Sequence, residues 1–121
     1  DAARVNGGWQ AFIRGGTHNS GLDAILWAKE GVSLGAGEIL VNSIDRDGTK
    51  QGYDLELIRE ISEKVRVPVI ASGGAGNLEQ IYEAIAIGRA DAVLLASTLH
   101  YGEMSIPEIK KYLKSKGVPI R

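Results

Sequence analysis

Ile39-Leu40-Val41-Asn42-Ser43-Ile44 runs directly into Asp45-Arg46-Asp47-Gly48-Thr49-Lys50-Gln51-Gly52. An apolar run of strand length that stops abruptly at carboxylates, a hydroxyl and glycines reads as a buried strand delivering polar groups to the mouth of a sheet. Two later stretches repeat the pattern. Val67 to Ile70 leads into Ala71-Ser72-Gly73-Gly74-Ala75-Gly76, and Ala92 to Leu95 leads into Ala96-Ser97-Thr98. Amphipathic segments separate the runs. Asp54 precedes Leu57, Ile58, Ile61 and Val65 at helical spacing. Asn77, with Gln80 three residues on, precedes Leu78, Ile81, Tyr82 and Ile85. Ser105, with Glu108 three residues on, precedes Ile106, Ile109 and Leu113. Strands that recur with a helix between each pair imply parallel pairing and right-handed crossovers, so all three polar ends come to one face.

Upstream, Val5-Asn6-Gly7-Gly8-Trp9 places an Asn-Gly turn between short apolar pieces, which predicts a surface hairpin within residues 1–21. Trp9 and Phe12 either cover the hairpin's own apolar face or offer a stacking platform to a ligand ring. Ser20 is expected to cap a helix that carries Leu22, Ile25 and Leu26, with Gly31 and Ser33 loosening its end. The whole reads as one domain, a strand end and hairpin over 1–21 followed by a helix and three strand-helix units over 22–121.

Composition excludes several classes. The 121 residues are 44% hydrophobic and 24% charged with a formal charge of -1, which gives no electrostatic footprint for nucleic acid or an anionic membrane. There is no cysteine, hence neither disulfide nor thiolate chemistry, and no apolar run reaches the roughly 20 residues of a membrane span. We expect a cytoplasmic protein. His18 and His100 have no ligand spacing around them, so no metal site is expected.

Ser72 to Gly76 lies between a strand and a helix, where backbone N–H groups can converge on an anion with a helix dipole behind them. Phosphate is the natural ligand, and Ser97 adds a hydroxyl and an N–H from the next loop. A tight turn with no ligand is the alternative. Asp45 suits a structural role, through Arg46 or as a loop cap. Asp47 can orient a substrate group. Lys50 either reaches a phosphate or stays in solvent.

Three segments carry a family resemblance: Ser-Ile-Asp-Arg-Asp-Gly-Thr-Lys-x-Gly-Tyr-Asp at 43–54, Ile-Ala-Ser-Gly-Gly-Ala-Gly at 70–76 and Ala-Ser-x-x-His-Tyr-Gly-Glu at 96–103. In order, they resemble the C-terminal half of the cyclase subunit of imidazole glycerol phosphate synthase, a (βα)8 TIM barrel of histidine biosynthesis. The resemblance implies half of such a barrel. It also implies that Asp1 is one of two aspartates serving as general acid and base when ammonia and a ribulosyl formimino nucleotide become imidazole glycerol phosphate and an aminoimidazole carboxamide ribotide. Asp47 would be the other catalytic residue of these strands, beside a substrate phosphate. Gly48, Ser72, Gly73, Gly74, Ala96 and Ser97 would cradle that phosphate, with no cofactor. A glutaminase subunit at the opposite end of the barrel would supply ammonia.

The other aspartate and a second phosphate site would belong to strands these residues do not contain. Asn42 stands where the family has threonine. The expectation is therefore an excised or engineered half-barrel that binds phosphate and pairs with a second copy about a two-fold axis, with little or no turnover. The tail Val118 to Arg121 either extends that pairing or is the ordinary end of the last helix. An active cyclase fragment and a plain phosphate-binding module remain as alternatives.

Overall fold

The computed structural model describes residues 1–121. Its first element is the expected hairpin. Asn6 and Gly7 both take positive φ, 50° and 84°, as a type I′ turn demands, and they join β1 (Ala2–Val5) to β2 (Gly8–Ile13) in antiparallel register, with Arg4 opposite Trp9. The chain then makes a third strand where a helix start was expected. β3 (His18–Asp23) pairs with β2, and the Ser20 hydroxyl donates to Ala11 O at 2.5 Å instead of capping a helix. The cap is Asp23, whose Oδ1 accepts from the N–H groups of Ile25 and Leu26 at 2.9 Å each, so α1 runs over Ala24–Ser33. Leu22 mimicked a helical residue because it stands three and four positions before Ile25 and Leu26. Gly31 does not loosen α1: its carbonyl accepts from Ala36 N at 3.0 Å, and the helix holds to Ser33.

The remaining elements alternate as the sequence implies: β4 (Ile39–Asn42), α2 (Leu55–Lys64), β5 (Val69–Ser72), α3 (Leu78–Ala86), β6 (Ala92–Val93), α4 (Ser97–His100) and α5 (Ile106–Ser115). β4, β5 and β6 are parallel, with Asn42 opposite Ser72 and Ala71 opposite Val93. β6 is shorter than the run Ala92 to Leu95, although Leu94 N still donates to Ala71 O at 2.8 Å. A parallel bridge from Ala2 to Ser43 places the beginning of β1 beside β4 as the fourth parallel position. The short helix α4 has no apolar period and was not legible in the sequence.

Helix ends follow their local chemistry. Asp54 caps α2 by accepting from Leu57 N at 3.1 Å, and Ser105 with Glu108 completes a reciprocal capping box on α5. At α3 the box is only half made. Asn77 accepts from Gln80 N at 2.9 Å, but the Gln80 side chain turns away to accept from Gly76 N at 2.8 Å.

The core lies between the parallel sheet and its helices. Val41, Val69 and Ala71 meet Leu57, Ile58, Ile61, Ile81 and Ala84, and Leu57, Val69 and Ile81 are wholly inaccessible. Each large side chain so buried contributes about 1.5–3 kcal/mol. The opposite face of the sheet is open: Leu40 is 50% and Leu94 39% exposed. No helix is long and apolar enough to cross a membrane.

Candidate functional site

The loop after β4 is built by its own backbone. Ser43 O accepts from Asp47 N at 2.9 Å, and Thr49 N donates to Arg46 O at 3.0 Å. Asp45 is occupied structurally, its Oδ2 accepting from Arg4 N of the hairpin at 2.7 Å. Asp47 and Gly48 stay exposed at the rim. This loop is packed onto the glycine loop after β5: Gly52 N donates to Gly74 O at 2.8 Å, and Gly74 takes φ 105°. A Cβ on Gly74 would stand 2.2 Å from Gly52 O. Glycine is therefore required here by the neighbouring backbone, before any ligand is considered.

Three loops meet around one small cleft. Asp47 and Gly48 come from the first, Ser72, Gly73 and Gly74 from the second, and Ala96 and Ser97 from the third. Ser72 is nearly buried at 8% exposure. Lys50 also lines the cleft, and its Nζ lies 2.5 Å from Glu103 Oε1. Asp47, Gly48, Ser72, Gly73, Gly74, Ala96 and Ser97 thus share one concavity at the C-terminal ends of the strands, while Asp45 and Arg46 line a different one. Asp1 lines neither.

Asp1 stands at the same end of the sheet but lines a separate, mostly apolar cavity together with Phe12, Trp27 and Leu40. Its backbone carbonyl accepts from Phe12 N at 2.8 Å, and its Oδ1 accepts from Asn42 Nδ2 at 3.0 Å. Asn42 is the link between the two places, because its Oδ1 lies 3.0 Å from where a Cβ on Gly73 would be. Trp9 is buried at 6% exposure beneath the Arg4 guanidinium, 4.3 Å from its ring centre, and donates through Nε1 to Asp54 Oδ2 at 2.9 Å. Phe12, half-buried, belongs to the cavity wall beside Asp1. Tyr53 donates to Leu94 O at 3.0 Å below the loops, and burial pushes its phenol well above the ordinary range. His100 packs edge-on against Tyr101.

Sequence reasoning missed three contacts. The stacking of Arg4 on Trp9 was available in principle, since an Asn-Gly turn at 6 and 7 sets those two residues opposite each other. The Asn42 bond to Asp1 spans 41 positions and the Lys50 bond to Glu103 spans 53, and no local pattern announces either.

Parallel strands with helices on one face, a polar rim at their C-terminal ends and an open opposite face define half of a (βα)8 barrel. Comparison with known proteins gives the family. A model of the family described as "Histidine biosynthesis protein" matches residues 1–105. The chain is 58% identical over 116 residues to imidazole glycerol phosphate synthase subunit HisF of Microcystis aeruginosa, covering 96% of this chain and 46% of that protein. It is 60% identical over 116 residues to the same subunit of Trichormus variabilis, covering 96% and 45%. With that of Dehalococcoides mccartyi it shares 56% identity over 121 residues, 100% of this chain and 48% of the relative. The chain belongs to the HisF cyclase family of histidine biosynthesis, and it spans about half the length of the curated relatives it matches.

Proposed function

We propose that the cleft between the three loops binds the phosphate of a phosphorylated substrate, and that these residues form the C-terminal half of a cyclase site. The observation that carries the reading is the convergence of Gly48, Gly73, Gly74 and Ser97 on one cleft, at the same end of the sheet as Asp1. Small residues keep Cβ atoms out of such a rim, and main-chain N–H groups with the Ser72 and Ser97 hydroxyls supply neutral donors suited to phosphate. Asp1, held by the Asn42 amide, is then the carboxylate of this half that exchanges protons with the substrate during ring closure, with Asp47 orienting the phosphate-bearing end. Turnover requires a second carboxylate and an ammonia source. In the family resemblance these come from the other barrel half and from a glutaminase subunit. No cofactor is invoked.

Titration with inorganic phosphate, followed by amide chemical shifts, tests the cleft. Shifts should concentrate on Gly48, Gly73, Gly74 and Ser97; a titration in which these amides stay still while others move refutes the assignment. A second reading is supported by the open side of the sheet. Leu40 and Leu94 expose apolar surface, and β4 beyond its bridge to Ala2 has an unpaired edge. On their own, these 121 residues would pair with a second copy about a two-fold axis to close an eight-stranded barrel. Sedimentation at micromolar concentration should find the dimer, and a monomer throughout that range refutes the pairing.

A further inference from the structure

Lys50 is the only Lys or Arg lining the three-loop cleft, and it shares the rim with the Asp47 carboxylate. Its neighbour Arg46 is turned elsewhere: Nη1 of Arg46 reaches toward Gln51 O at 3.5 Å, and the side chain lines a different cavity with Glu56. An anion entering the cleft therefore meets one fixed negative charge and has one positive charge within reach.

The backbone at Lys50 is fixed by the neighbouring glycine loop. Lys50 takes φ 58°, a region that residues other than glycine seldom occupy. Its carbonyl is packed against Gly76, where a Cβ would stand 2.3 Å from Lys50 O. Gln80 bridges the two loops, donating from Nε2 to Lys50 O at 3.4 Å and accepting from Gly76 N at 2.8 Å. These contacts place the root of the Lys50 side chain at the rim of the cleft. The ammonium itself is loosely committed. Its one ion pair, to Glu103 at 2.5 Å, joins side chains that are 43% and 39% exposed. Pairs this exposed contribute little and exchange partners readily, whereas charge-assisted bonds from an ammonium to phosphate oxygens are among the stronger hydrogen bonds.

We propose that Lys50 is the cationic ligand of the phosphate cleft and that Glu103 is the partner it exchanges for phosphate. The proposal rests on reading the cleft as a phosphate site. Phosphate arrival breaks the Lys50 to Glu103 pair and turns Nζ inward. Glu103 is thus a competitor of the ligand, and the anionic Asp47 is offset by Lys50 whenever phosphate is present.

The test is inorganic phosphate binding by the 121-residue chain and three variants, read by calorimetry and by the amide shifts of Gly73 and Gly74. Lys50→Met should weaken binding by about tenfold or more and reduce its dependence on salt, while Lys50→Arg should stay within a few-fold of the parent. Glu103→Gln should tighten binding by a few-fold, because the competitor is gone. Amide spectra report whether each variant keeps the fold. Equal binding by the parent and Lys50→Met, with the Gly73 and Gly74 shifts preserved, overturns the role of Lys50 and leaves the cleft assignment standing. Weakening by Glu103→Gln as large as that by Lys50→Met makes the pair a strut and also overturns it. Absence of phosphate binding by the parent removes the cleft reading and this proposal together.

Discussion

Asp54 is nearly buried, at 8% exposure, and holds two donors at once: Oδ1 accepts from Leu57 N at 3.1 Å and Oδ2 from Trp9 Nε1 at 2.9 Å. One carboxylate thereby caps α2 and fastens the hairpin that carries Asp1. Asp54→Ala removes the cap, which costs about 0.5–2 kcal/mol. It also leaves the indole N–H of a tryptophan at 6% exposure without an acceptor, a further loss of about 1–3 kcal/mol. The expected destabilisation is about 1.5–5 kcal/mol. For a chain of this length the unfolding entropy is about a quarter of a kcal/mol per degree, so the melting temperature should fall by about 6–20 °C at fixed chain concentration. A double-mutant cycle separates the two losses, because the ring volume and Arg4 stacking that Trp9→Phe removes and the cap bond to Leu57 each cancel between the arms, which leaves the bond from Trp9 Nε1 to Asp54. Urea denaturation of the parent, both single variants and the pair should give a coupling of about 1–2 kcal/mol. Additivity to within about 0.5 kcal/mol would show that the buried bond between hairpin and helix carries no energy, and the reasoning would fail.

Two further outcomes follow from the same geometry. Asn42→Asp puts a second carboxylate where an amide now donates to Asp1 Oδ1 at 3.0 Å. Like charges raise each other's pKa, so the variant should match the parent below about pH 4 and lose stability as pH rises, and a parallel pair of pH-stability curves contradicts this. The Tyr53 phenol is raised by burial, so its contribution is complete below the unfolded phenol's pKa and is lost as pH rises through the folded one. Tyr53→Phe should therefore flatten the alkaline limb of the stability curve in calorimetry, and an unchanged limb points to a different group.

Helix existence was legible wherever cap and period agreed. Asp54, Asn77 and Ser105 each begin a helix, and the apolar stripes behind them form the core against Val41, Val69 and Ala71. The start of α1 was not legible, because Ser20 and Asp23 are both good caps and only pairing with β2 decides that Ser20 belongs to a strand. α4 was invisible for a related reason. Four residues cannot show a helical period, and this helix has no side-chain cap hydrogen bond.

What the sequence alone determined is the alternation of parallel strands and helices, and with it the gathering of Asp47, Gly48, Ser72 to Gly74, Ala96 and Ser97 at one end of the sheet. That follows because parallel strands linked by right-handed crossovers leave their C-terminal ends no other place to be. Only the tertiary structure decided that Asp1 faces a different cavity from those residues, that Asn42 joins the two, and that Lys50 is held at the rim against Glu103. These depend on contacts between side chains or loops more than 40 positions apart. Their geometry is set by how hairpin, sheet and loops pack together, and no local propensity encodes it.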